Sequence, residues 1–238
     1  MEKIMLPKIK HPQFSLTLPI SKKDVVYRPM LAREEKILLM AKENSDKFET
    51  LSAVRQVAND CITTENFNID DLSIIDLEFL FIKIRSASIG NIINVSYQDG
   101  EDKEIRNFDV NLENVGVNFP SEQSNTIIVN DEIVIDLKYP PSSLYIDKTF
   151  LEATGADVLT KLILSCISKI SQKGIKLDGY NDEELLQWLD QLPIKTFEQF
   201  KTFFGNLPTL YYKITYTNKL GNERTIELTT LQDFFTLG

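Results

Sequence analysis

Ser73-Ile-Ile-Asp-Leu-Glu-Phe-Leu-Phe-Ile-Lys-Ile-Arg-Ser-Ala-Ser-Ile-Gly90 runs straight into Asn91-Ile-Ile-Asn-Val-Ser-Tyr97, and the change of period between them decides the fold class. In the first part apolar residues recur at helical spacing in two adjacent stripes, Leu72, Ile75, Phe79, Ile82 and Ile74, Leu77, Phe81, Ile84. An arc that wide predicts a helix from about Asp71 to Ala87 packed on more than one side, the core helix of the N-terminal half. Ser73 and Asp76 have the spacing of a capping box, and Gly90 closes the helix. In the second part Ile93, Val95 and Tyr97 alternate up to the turn Asp99-Gly-Glu-Asp102, and Ile105, Phe108, Val110 and Leu112 return from it. A helix joined directly to a hairpin makes the class α+β, with amphipathic helices packed against antiparallel β-hairpins.

Toward the N-terminus, Phe14, Leu16 and Leu18 alternate before a polar turn, and Val25-Val-Tyr-Arg28 is extended again, which predicts a hairpin. Leu31 to Ala41 is built from helix formers with acids in its first turn, Ser45-Asp46 interrupts it, and Phe48, Leu51, Val54, Ala58 and Cys61 carry a second helix. Toward the C-terminus, strands are expected at Thr126–Val129 and Ile133–Tyr139. Pro140-Pro141 then divides an N-terminal region, 1–140, from a C-terminal one, 141–238. Val158, Leu162, Ile163, Cys166, Ile167 and Ile170 read as one amphipathic helix closed by Gly174. Two short helices, Glu183 to Leu192 and Phe197 to Phe204, follow around Pro193. The stretch Lys213-Ile-Thr-Tyr216 to Leu228 then repeats the plan of Asn94-Val-Ser-Tyr97 and its return strand, so the chain holds two similar hairpins.

Composition narrows the function. The formal net charge is -9 over 238 residues, which opposes general binding to nucleic acid or anionic lipid, both of the same sign. No apolar run approaches the roughly 20 residues of a membrane helix, and the N-terminus lacks the apolar core of a signal peptide, so a cytoplasmic protein with no membrane contact is expected. Cys61 and Cys166 read as two buried thiols. His11 is the one histidine, in a leader with no partner nearby, and two cysteines with one histidine cannot complete a four-ligand zinc site. The acid pairs Asp70-Asp71, Asp131-Glu132 and Glu183-Glu184 sit where turns and helix starts want them, and Asp99 to Asp102 is too short for a calcium loop. The expectation is no enzyme, no cofactor and no metal. Among the aromatics, Phe79, Phe81, Phe203 and Phe204 read as core, while Tyr211-Tyr212 and Phe234-Phe235 lie at chain edges and are candidate anchors for a partner.

Several blocks carry a resemblance. Leu6-Pro-Lys8, Phe14-x-Leu-x-Leu-Pro19 and Val26-Tyr-Arg-Pro-Met-Leu-x-Arg-Glu-Glu-Lys-x-Leu-Leu-Met-Ala41 come first. Asp76-x-Glu-x-Leu-Phe-x-Lys-Ile-Arg85, Phe203-Phe-x-Asn-Leu-Pro208 and Leu231-Gln-Asp-Phe-Phe235 follow in that order. Together they resemble the baseplate hub proteins of T-even-like contractile-tailed phages. The resemblance implies a hub component or hub assembly factor, made in the host cytoplasm during infection and placed in the virion tail baseplate if it is a permanent subunit. Its partners would be other hub proteins. Relatives often carry cysteine pairs in the turns of the two hairpins; here those turns have none, so Gly/Asn turn chemistry must hold them without zinc. A tail-associated accessory enzyme and a host-directed binding protein are the alternatives. The contact surface is expected in the Val25–Met40 region, with Arg33, Glu34 and Lys36 as exposed helix charges beside Tyr27 and Arg28, and with Phe234 and Phe235 as apolar anchors. The competing reading is that this motif only folds the hairpin onto its helix.

Overall fold

Alternation builds the first hairpin in the computed structural model, which describes residues 9–44, 47–121 and 124–234. Strand β1 (Phe14–Thr17) pairs antiparallel with β2 (Asp24–Tyr27), placing Leu18 and Val25 in the interior. Helices α1 (Ala32–Asn44) and α2 (Lys47–Cys61) follow; the expected break at Ser45-Asp46 lies outside the described residues. The core helix is α3 (Ile74–Ile89). The Ser73 hydroxyl accepts the Asp76 N–H at 3.1 Å, half of the expected box. The other half is corrected: the Asp76 carboxylate accepts the N–H groups of Ile20 and Ser21 at 2.8 and 2.9 Å, tying the turn of the first hairpin to the start of α3.

The wide apolar arc of α3 separates two cores. Leu77, Leu80, Phe81 and Ile84 meet Leu18, Val25, Val54 and Val57 in a first cluster. Ile82 enters a second, built by the two similar hairpins. These are β3 (Ile92–Gln98) with β4 (Ile105–Asn111), and, after β5 (Gly116–Asn118), the later pair described below.

A third cluster forms on a four-stranded antiparallel sheet. Strands β6 (Thr126–Ile128) and β7 (Ile133–Leu137) precede helices α4 (Lys148–Leu151) and α5 (Ala156–Cys166); β8 (Ile167–Gln172) and β9 (Ile175–Leu177) complete the order β6-β7-β8-β9. The single helix expected from Val158 to Ile170 is therefore corrected, since it ends at Cys166 and Ile167 begins a strand. Opposite Asp136 and Leu137 the register of β8 slips, with Leu137 paired to Ile167 but Asp136 to Lys169. One extra residue in a strand lets positions three apart share a face, so Ile167 and Ile170 both reach the core at a spacing that imitates a helix. Gly174 (φ +81) and Lys173 (φ +50) then make the tight turn to β9 instead of closing a helix. Helices α6 (Asp182–Leu189) and α7 (Ile194–Gly205) cover this sheet with Leu185, Leu189, Phe200 and Phe203. The Asn181 side chain and Glu184 form a full capping box at α6.

Strands β10 (Thr209–Thr217) and β11 (Glu223–Leu228) form the second of the similar hairpins, and β10 also pairs with β5. The likeness extends to register, because Tyr97 stands opposite Arg106 in one hairpin and Tyr216 opposite Arg224 in the other. Pairing of β7 with β8 carries backbone hydrogen bonds across Pro140-Pro141, and the Pro140 carbonyl accepts the Ile74 N–H at 3.1 Å. The class is α+β, with small antiparallel sheets between helices. Both cysteines are free and buried.

Candidate functional site

The expected contact region divides sharply between inside and outside. Tyr27, Arg28, Glu34 and Phe234 are buried, which corrects the expectation of Glu34 as an exposed helix charge and of Phe234 as an exposed anchor. Arg28 leaves β2 toward the C-terminal end of α2, where its guanidinium donates to the Asp60 carbonyl at 2.8 Å, a favourable place for a cation. The same guanidinium meets the Glu34 carboxylate at 2.9 and 3.3 Å. Glu34 also reaches back to the Leu31 N–H at 2.7 Å, capping α1, and receives Arg33 Nε at 2.6 Å. Burial alone would raise the Glu34 carboxyl, but the hydrogen bonds from Arg28, Arg33 and Leu31 outweigh it and hold it at about 2. Glu34 is thus the knot that ties β2, α1 and α2 together. Phe234 fills the second core, Tyr211 and Tyr212 are half-buried, and Phe235 lies outside the described residues.

The second arrangement joins the two hairpin tips. Tyr216 donates to the Asp99 carboxylate. Glu101 accepts from Asn218 at 2.7 Å, Asn222 at 3.0 Å and Arg224 at 2.8 Å. Asp102 accepts from Arg106 on its own hairpin at 3.0 and 2.5 Å and from the Lys219 N–H on the other at 2.9 Å. Below this clasp the Phe108 and Tyr216 rings meet at 5.1 Å, and Arg106 stands over the Tyr216 ring. The acids of the Asp99–Asp102 turn are therefore occupied by donors from the other hairpin. Among the described residues no three His, Cys, Asp or Glu side chains are arranged to hold a metal ion.

Comparison with protein families matches residues 11–236 to the T4 bacteriophage base plate protein family. The chain belongs to that family. Neither the curated proteins nor the solved structures give a match.

As a phage base plate protein, the chain offers other proteins only what remains outside. On α1, Arg33, Lys36, Leu39 and Met40 are exposed, the last two by 51% and 67%, and their spacing of three and four puts Lys36, Leu39 and Met40 on one helix face. Of the residues expected to bind a partner, only Arg33 and Lys36 are both described and exposed. Leu39 and Met40 belong to the sequence block that carries the family resemblance, but only their exposure marks them as surface. Among the described residues no helix is long and apolar enough to cross a membrane.

The clasp makes a pH prediction. Arg106, ahead of the opposing effect of burial, and then the Lys219 N–H hold Asp102 down to about 2, from an ordinary value of 3.8. A carboxyl depressed on folding stabilises the clasp fully above its unfolded value and loses that contribution as pH falls through the folded one. The Lys219 amide proton should therefore show an NMR titration step near pH 2. Asp102→Asn should abolish that step, and an unchanged step in the variant would show that Asp102 does not hold Lys219.

Proposed function

We propose that this base plate protein is a component or an assembly factor of the baseplate hub. It works by protein–protein binding in virion morphogenesis, is made in the cytoplasm of the infected host, and takes other hub proteins as partners. The family match over nearly the whole chain carries the reading, and the ordered blocks from Phe14-x-Leu-x-Leu-Pro19 to Leu231-Gln-Asp-Phe-Phe235 direct it toward the hub. The chain contributes surface in this role, and no reaction of its own. Its acidic charge favours approach to basic partner surfaces.

A phage lacking the protein should make heads and tail fibres but fail to complete hubs, and the protein should be recovered from infected cells bound to another tail protein. Normal hubs in its absence would remove the assembly role. Mass spectrometry of purified virions separates a permanent subunit, present in the particle, from a factor that leaves. The exposed α1 face supplies the mutational arm. Lys36→Glu with Leu39→Glu changes only surface, so stability should move by less than about 0.5 kcal/mol per site, while rescue of hub assembly should be lost. A stable double variant that rescues fully would take this face out of the interface.

A further inference from the structure

A cleft of about 440 Å³ opens between α2, α3 and the segments that flank the later hairpin. Its apolar walls include Leu51 and Val54 of α2, Pro208 and Leu231, and Thr229 and Thr230 add polar groups to the lining. Glu78 of α3 is, among the described residues, the one charged residue that lines it. Among the described residues no group donates a hydrogen bond to the Glu78 carboxylate or forms an ion pair with it. This contrasts with Asp76, two residues earlier, whose carboxylate takes two backbone N–H groups. A half-buried carboxylate in a largely apolar cleft, with no donor on it, is costly in its charged form, and burial pushes Glu78 up to about 7.

We infer that this cleft is a receptor for a lysine or arginine side chain presented by an apolar segment of a partner protein. The cation pairs with Glu78, and its aliphatic stem lies along Leu51, Val54 and Leu231. Charge complementarity selects this occupant. An anion would be repelled, and a purely apolar segment would seal Glu78 without a partner, which is tolerable only with the carboxyl protonated. A long cationic side chain satisfies both parts of the site, since its stem covers apolar surface while its head meets the acid. The volume is near the lower end of the roughly 300–1,000 Å³ typical of ligand pockets, suited to one or two side chains. The inference takes its source of the cation from the protein-binding role proposed above; the pairing itself does not depend on that role.

The other titratable group lining the cleft is the Tyr145 phenol, raised by burial to about 12 and therefore neutral throughout the working range. Any pH dependence of cation binding between pH 6 and 8 belongs to Glu78. Only the ionised carboxylate pairs with the cation. Its fraction rises about tenfold across that range for a midpoint near 7, so the apparent affinity rises about tenfold as well.

The test uses the full chain and n-butylammonium as a stand-in for a lysine side chain. Carbon-13 NMR of labelled glutamate follows the Glu78 carboxyl, and the Val54 and Leu231 methyl shifts follow occupancy. The expected result is a Glu78 midpoint near 7 that falls when the probe is added, with methyl shifts that saturate and tighten about tenfold from pH 6 to 8. Glu78→Gln, which keeps shape and removes the charge that a carboxyl raised on folding places at a cost in the fold, should unfold at a higher urea concentration than wild type at pH 8 and bind the probe at least about tenfold more weakly there. Equal binding by Glu78→Gln, equal binding of neutral n-butanol, or an ordinary carboxylate midpoint unmoved by the probe would each overturn the proposal. Because the measurement needs no phage protein, its failure is separate from a failure of the hub reading, which the deletion phage decides.

Discussion

Replacing Phe81 by alanine is expected to destabilise the fold by about 3–5 kcal/mol, the usual loss for a buried aromatic. The ring is 2% exposed and lies in the first core with Leu77, Leu80 and Ile84 of its own helix. Truncation removes apolar burial and leaves a void in a close-packed cluster that Leu80 and Ile84 of α3 and Val54 of α2 share. The helix cannot slide to close the gap, because Ile82 is held in the second core and the Ser73–Asp76 end is tied to the turn at Ile20 and Ser21. Urea unfolding followed by circular dichroism should show the midpoint fall. The sole tryptophan, Trp188, packs against the third core, so its fluorescence reads a distant part of the chain. A coincident shift in both signals means that the clusters melt as one unit. A loss below about 1 kcal/mol would mean that this face of α3 is not packed as described.

What could be read from the sequence is what depends on near neighbours. The helix at Ile74–Ile89, the hairpin after Gly90 and the repeated hairpin near the C-terminus each carry their period within a few residues, and each is present. The strand at Ile167 departs from the helical expectation for a physical reason: a bulge gives Ile167 and Ile170 the spacing of a helix turn, so periodicity alone cannot distinguish the two. Glu34 departs from expectation for another reason. An acid in the first turn of a helix looks solvated and dipole-stabilised, and only the arrival of Arg28 from the preceding strand turns it inward. The clasp between hairpin tips joins Asp99 to Tyr216, residues 117 apart, and no local pattern announces such a pair. Even so, Tyr97 with Arg106 and Tyr216 with Arg224 stood in matching places in the two repeats. Glu78 was visible as a charge between two apolar stripes, and that position was the signal of the cleft.

Removing the Glu34 carboxylate should be as damaging as removing a core ring, although no apolar surface is lost. Glu34→Ala strands the Arg28 guanidinium, 11% exposed on its side chain, with carbonyl oxygens but no counter-charge, and leaves the Leu31 N–H without its acceptor. Breaking one side of a buried pair costs about 3–5 kcal/mol, so the urea midpoint should fall by an amount similar to that of Phe81→Ala. The double variant Arg28→Met, Glu34→Leu separates the cost of an orphaned charge from the worth of the pair. It should recover much of the loss, since a well-packed apolar pair often matches a buried ionic one. The pH dependence follows from the same contacts. Glu34 titrates near 4.5 when unfolded and about 2 when folded, a depressed value. Its contribution is complete above 4.5 and drains away as pH falls toward 2. The wild-type stability curve should therefore decline over that interval more steeply than that of Glu34→Gln, which has no proton to take up at this position. Parallel curves, with the single alanine variant as stable as wild type, would mean that Arg28 and Glu34 are solvated, and would return both residues to the candidate contact surface.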